Sequence, residues 1–167
     1  ECKCLVANGY KEITLLGQNV NAYGNDLQLG YDFADLLEKV ALLNVERLRF
    51  VTSHPWNFTD KMIDIISKYS NIMPYIHLPL QSGSNEILRK MGRRYTKESY
   101  MALVDKLREI VPGVALSTDI IVGFPNESEE DFLDTLEVVR HCDYDSAFTF
   151  IYSPRVGTPA ANMEDLI

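Results

Sequence analysis

The sequence predicts an α/β protein whose strands pair in parallel, and three observations carry that prediction. Apolar runs suited to strands recur five times, at 12–17, 47–53, 75–80, 114–123 and 147–153. The four intervals between them carry helical periodicity, and a parallel pair needs a crossover long enough to hold a helix. Each run stops at a polar or glycine cluster: Gln18-Asn19, His54-Pro55, Gln81-Ser82-Gly83, Phe124 to Glu127, and Pro154-Arg155. In barrels and open α/β sheets ligands collect at the carboxyl ends of the strands, so the five clusters are expected to face one site.

The elements follow in order. Residues 1–9 read as the end of a helix, closed by Asn8-Gly9 as a left-handed stop, with no strand before it. That start, and a segment breaking off at 162–167, suggest a fragment of a longer enzyme whose barrel is incomplete at its first strand. After an Asn- and Gly-rich loop, Phe33, Leu36, Leu37, Val40 and Leu43 fall on one helical stripe. Thr59 caps a helix whose buried side is Met62, Ile63, Ile65, Ile66 and Tyr69. Ser84 to Met91 is a short helix broken by Gly92, and Thr96 opens another with Tyr100, Leu103, Val104 and Leu107 inward. Ser128 and Asp131 fit a capping box for a helix carrying Phe132, Leu136 and Val139.

With 167 residues, 46% of them apolar, the chain has about the size of one domain and can bury a substantial core. No run approaches the roughly 20 apolar residues of a membrane span, and residues 1–20 show no basic-then-apolar leader pattern. The cytoplasm is the expected compartment. Sixteen basic against 24 acidic residues give a net charge of −8, which argues against a strong electrostatic clamp on nucleic acid. Cys2, Cys4 and Cys142 form no even framework and lack zinc-finger spacing, so a reducing compartment is expected and the thiols are read as filler, the alternative being a metal pair completed from elsewhere.

Several residues stand out as candidates for chemistry. Gln81 is a polar amide just past an apolar strand, able to donate and accept at once, which suits a pair of ribose hydroxyls; capping the next helix is the alternative. Gly83 can let backbone approach a ligand closely. Arg93 and Arg94 follow the helix-breaking Gly92, which can turn a guanidinium toward the strand ends, where it is a natural bidentate partner for a carboxylate. Asp119 interrupts an apolar strand, and a carboxylate there is costly unless it is paired, so ligand contact is the reading. Glu127, beyond Gly123-Phe124-Pro125, fits a ligand or a helix entry equally. His54, held extended before Pro55, is read as a wall residue, and His77 as a satisfied interior histidine.

The strings LLGQNVNAYG, RFVTSHPWNFTDKMI, YIHLPLQSGSNEILRKMGRRYT, STDIIVGFPNESEEDF and FTFIYSPRVGTPAA together resemble the radical S-adenosylmethionine (SAM) methylthiotransferases. The resemblance runs from about residue 5 to residue 161. Gly17-Gln18-Asn19-Val20-Asn21 and the PLQS string resemble the tRNA-modifying branch, rather than the branch acting on ribosomal protein S12 or the threonylcarbamoyl-adenosine relative.

That resemblance implies a partial (β/α)6 TIM-like barrel, with SAM bound at a [4Fe-4S] cluster. It implies transfer of a methylthio group to C2 of N6-isopentenyl-adenosine beside the tRNA anticodon, by 5′-deoxyadenosyl radical chemistry. Gln81, Arg93 and Asp119 match family positions that hold SAM: Arg93 at its carboxylate, Gln81 and Asp119 at its polar groups and ribose. Phe150 and Tyr152 would border adenine, and Gln18 and Ser53 would join the cofactor site. The family's Cys-x3-Cys-x2-Cys motif is absent from these residues. The expectation is therefore that residues 1–167 are a fragment of the radical SAM core, without the amino-terminal cluster domain, the cluster-binding loop or the carboxy-terminal TRAM domain. Such a fragment is expected to be inactive, to hold no metal, and to be able to self-associate through an open barrel edge. A non-catalytic nucleotide-binding α/β module is the alternative from another class.

Overall fold

The computed structural model describes residues 1–26, 30–51 and 53–163. The described residues alternate helix and strand as the periodicities require: α1 (Cys2–Ala7), β1 (Glu12–Leu15), α2 (Phe33–Ala41), β2 (Arg47–Phe50), α3 (Asp60–Lys68), β3 (Tyr75–His77), α4 (Asn85–Lys90), α5 (Lys97–Ile110), β4 (Ala115–Val122), α6 (Glu129–Cys142) and β5 (Ser146–Ile151). They gather into two compact units. One comprises residues 1–78 and 106–116, the other residues 79–105 and 117–167.

In the first unit β1 and β2 pair in parallel, Glu12 opposite Arg47 through Leu15 opposite Phe50, and Leu48 bridges in parallel to Ile72. The core follows from the two helical stripes. α2 is held at its start by a capping box between Asp32 and Asp35, and it buries Phe33, Leu37 and Val40. Its inner face is completed by Ala34 and Ala41, whereas Leu36 and Leu43 are half-buried. Thr59 caps α3 as expected, accepting from the Met62 N–H at 3.3 Å. Met62, Ile63, Ile65 and Ile66 are all buried, each contributing roughly 1.5 to 3 kcal/mol of apolar burial.

In the second unit β4 pairs in parallel with β5 from Ser117 opposite Ser146 to Val122 opposite Ile151, and Gln81 bridges in parallel to Ile120. α4 ends in a Schellman motif. Gly92, at φ +70°, donates to the Arg89 carbonyl at 3.0 Å, and the Arg93 N–H to the Leu88 carbonyl at 2.9 Å.

The predicted capping box of α6 is present, but the helix is rotated from the predicted stripe. It buries Thr135, Val138 and Cys142, with Phe132, Leu136 and Val139 half-buried. The cause is Gly83. A Cβ built there would lie 2.5 Å from the Thr135 Cα, so helix and loop touch backbone to backbone. Thr135 Oγ1 then accepts from the Gly83 N–H at 2.9 Å. Gly83 serves this packing, which corrects the expectation that it admits a ligand.

Candidate functional site

Parallel pairing fixes which side chains share a face. Asp119 is opposite Phe148 and Ile121 opposite Phe150, and alternation puts Phe148, Phe150 and Tyr152 on one side of β5 and its exit. Asp119, Ile121, Phe150 and Tyr152 accordingly line one cleft of about 510 Å³, together with Gln81, Arg155 and Thr158. That volume suits a nucleoside-sized ligand. An adjoining cleft in the same unit is lined by Arg93 and Gly92, and shares Ile121, Tyr152 and Thr158 with the first. The unit thus brings Gln81, Arg93, Asp119, Phe150 and Tyr152 to two clefts with a common wall.

Gln81 is the most constrained member. It sits at φ +70° and is 8% exposed. Its N–H donates to the Asp119 carbonyl at 2.8 Å, and its carbonyl accepts from the Ile121 N–H at 2.8 Å. The chain ahead of it is anchored twice: Thr118 Oγ1 accepts from the Leu80 N–H at 2.9 Å, and the Tyr95 hydroxyl donates to the Leu80 carbonyl at 2.8 Å. Burial pushes the Tyr95 phenol up, opposed by the nearby charge of Arg93. Capping of α4 falls to Ser84, whose side chain accepts from the Ile87 N–H. That removes the alternative role for Gln81, whose side-chain amide has no protein partner among the described residues.

Tyr152 adds a second unmet group. Its Oη is buried with no hydrogen-bond partner among the described residues, while its ring meets Phe124 edge-on at 5.1 Å. Asp119 and Arg93 are half-buried and Arg94 is exposed, so Gly92 turns only the first arginine toward the clefts. Glu127 proves to be a turn clamp. One carboxylate oxygen accepts from the Gly123 N–H at 2.5 Å, and the other is buried without a partner. Burial raises its carboxyl above the ordinary value, against the lowering effect of the Gly123 and Phe124 N–H groups, and Asp131 adds repulsion.

Gln18 and Ser53 belong to the first unit. Gln18 is exposed, whereas Ser53 is 3% exposed with its hydroxyl unpartnered. A cleft of about 560 Å³ there is lined by Gly17 and Asn19, on either side of Gln18, and Asn19 Oδ1 is buried without a partner. His54 is extended and half-buried, and His77 is half-buried. Sequence reasoning placed Arg155 in a strand-exit cluster without giving it a role. Thr158, whose hydroxyl donates to the Arg155 carbonyl at 2.8 Å, carried no signal. No helix among the described residues is long and apolar enough to cross a membrane.

The family model of the radical SAM superfamily matches residues 1–139. The chain belongs to the radical SAM superfamily. It is 55% identical over 166 residues to the tRNA-2-methylthio-N(6)-dimethylallyladenosine synthase of Staphylococcus epidermidis, and 57% identical over 166 residues to that of Staphylococcus aureus. In each case 99% of this chain is covered but only 32% of the relative, so the chain spans about a third of the length of the curated relatives it matches. Among solved structures, a radical SAM methyltransferase from Kitasatospora setae aligns with a TM-score of 0.72 at 17% identity, covering 96% of this chain and 31% of that one. Coproporphyrinogen III oxidase from Escherichia coli aligns with a TM-score of 0.67 at 17% identity, covering 92% and 36%. These likenesses, with parallel pairing in both units, give the fold as part of an α/β radical SAM barrel.

The radical SAM family implies SAM and a [4Fe-4S] cluster. Gln81, Asp119, Tyr152 and Arg93 fit the first: they offer unmet or charged polar groups along clefts walled by Phe150 and Ile121. The second finds no fit, because the described residues hold no group of three His, Cys, Asp or Glu able to bind a metal ion. Cys142 is buried in α6, and Cys2 and Cys4 lie in α1.

Proposed function

We propose that this chain is the SAM-holding part of a cytoplasmic tRNA methylthiotransferase acting on an N6-dimethylallyl-type adenosine in the anticodon loop. The observation that carries the reading is the cleft where Gln81, buried and with an unused amide, stands beside Asp119 under Phe150 and Tyr152. High identity to the staphylococcal synthases along nearly the whole chain supports the choice of substrate.

In this reading Gln81 and Asp119 hold ribose hydroxyls, the Phe150 ring flanks the adenine, and Arg93 meets the amino-acid carboxylate with paired N–H groups. Bound SAM supplies an adenosyl radical source and a methyl group. The residues of this chain orient it, and the apolar wall of Ile121 and Phe150 keeps water from its nucleoside end. The reading assigns the cluster to sequence outside these residues.

Titration of SAM by calorimetry tests the assignment. Arg93→Ala should weaken binding by roughly 1.5 to 3 kcal/mol, the scale of a hydrogen bond to a charged group. Unchanged affinity would remove Arg93 from the site. Mass analysis of nucleosides from tRNA modified by the longer enzyme, with and without Asp119→Asn, tests the substrate.

A further inference from the structure

We propose that the loop leaving β2 is a stacking platform for an unpaired nucleobase, formed by Trp56 over His54; the proposal rests on the reading that the substrate is RNA. The ring centroids of the two residues are 3.3 Å apart with the planes tilted by 35°. Trp56 nevertheless remains 38% exposed. An indole backed by an imidazole and still reaching solvent presents the kind of π surface on which bases stack.

Hydrogen bonds anchor the main chain of the platform. Asn21, 4% exposed, grips the main chain of His54 from both directions: its Nδ2 donates to the His54 carbonyl at 2.9 Å, and its Oδ1 accepts from the His54 N–H at 2.7 Å. Pro55 is buried and opens a single 3-10 turn, in which the Asn57 N–H donates to the His54 carbonyl at 3.1 Å. A loop that only had to connect β2 to α3 would not need a buried asparagine from a different loop to fix the histidine beneath its tryptophan. Ser53, next to this pair in sequence, is 3% exposed, and its hydroxyl has no partner among the described residues at the same strand exit.

Charge argues for a base rather than a phosphate as the recognised group. At a net charge of −8 the chain gains little from counterion release, whereas stacking on an aromatic face is indifferent to the sign of the protein. The location agrees, since the Asn21 and His54 loops follow β1 and β2 at their carboxyl ends, where α/β folds place ligands.

Trp56 is the single tryptophan of the chain, so its fluorescence reports from the platform alone. Titration with a short single-stranded oligoadenylate RNA should quench it to saturation, and the quench should persist as salt rises from about 50 to about 300 mM. Inorganic polyphosphate of equal charge should leave it unchanged. Trp56→Ala should weaken binding of labelled oligoadenylate about tenfold, Trp56→Phe should restore most of it, and neither should alter calorimetric SAM affinity. Three outcomes would overturn the proposal: no quench at any oligoadenylate concentration, displacement by polyphosphate with loss of the quench in salt, or equal quenching by SAM. Loss of SAM binding with the quench intact would instead fail the functional reading and leave the platform standing.

Discussion

The Gln81 N–H donates to the Asp119 carbonyl at 2.8 Å, so the two residues with the best claim to ligand hydroxyls are locked backbone to backbone. The lock requires φ +70° at Gln81, a conformation that costs a non-glycine residue roughly 1 to 2 kcal/mol. On the proposed reading, a strained backbone at a residue whose side chain bonds nothing among the described residues keeps the amide for the ligand.

Two substitutions separate that strain from the chemistry. Gln81→Ala and Gln81→Gly should both weaken SAM binding, by about 1 to 2 kcal/mol for a lost hydrogen bond to a polar group. The glycine variant should be about 1 kcal/mol more stable than the alanine variant, because it adopts φ > 0 freely. Urea denaturation and calorimetry measure the two effects, and equal stability of the variants would contradict the strain argument.

Gly83 should tolerate no side chain. A Cβ at this position would meet the Thr135 Cα at 2.5 Å and the Asp134 carbonyl oxygen at 2.6 Å, both backbone atoms that cannot swing aside. Gly83→Ala should therefore destabilise by about 1 to 3 kcal/mol, the range for overpacking. Thr135→Val should cost a similar amount by leaving the Gly83 N–H without its acceptor. Chemical denaturation of both variants checks this.

These two glutamine and glycine positions also show how far the sequence could be read. The order of elements, the caps at Thr59 and Ser128, and the stop at Gly92 follow from local chemistry, so they were legible. The convergence of Gln81, Asp119, Phe150 and Tyr152 was foreseeable too, because parallel strands deliver their carboxyl ends to one side. What escaped was non-local. The contact that turns Thr135 inward in place of Phe132 is made with a loop 52 positions earlier, and helical periodicity has no record of it. β3 ends at His77, and Pro79 two residues on has no N–H to give a ladder before the isolated bridge at Gln81.

Glu127 should make stability depend on pH in the direction opposite to a salt-bridged carboxylate. Burial raises its folded-state value above 4.5, the ordinary value for the unfolded chain. The folded protein therefore takes up this proton first as pH falls. Its contribution is fully present below pH 4.5 and is lost as pH rises through the folded value. Glu127→Gln keeps an acceptor for the Gly123 N–H without the charge. The variant should gain on wild type at pH 7 and lose that advantage toward pH 4.5. A stability difference independent of pH, measured by denaturation at several pH values, would show that Glu127 titrates alike in the folded and unfolded chain.

Tyr95 should act on the ligand only through Gln81. Its hydroxyl donates to the Leu80 carbonyl at 2.8 Å, one residue before Gln81, with the Pro79 carbonyl 3.2 Å away. Its ring is 8% exposed and lies 6.0 Å from that of Tyr100. Tyr95→Phe keeps the ring packing and removes the brace, at a stability cost of about 1 kcal/mol. SAM affinity should fall a few-fold in the wild-type background and not at all in Gln81→Ala, since the brace matters only while there is an amide to aim. The double-mutant cycle reads that coupling directly. Additive losses would mean that Tyr95 acts on the ligand by another route, such as the neighbouring Arg93.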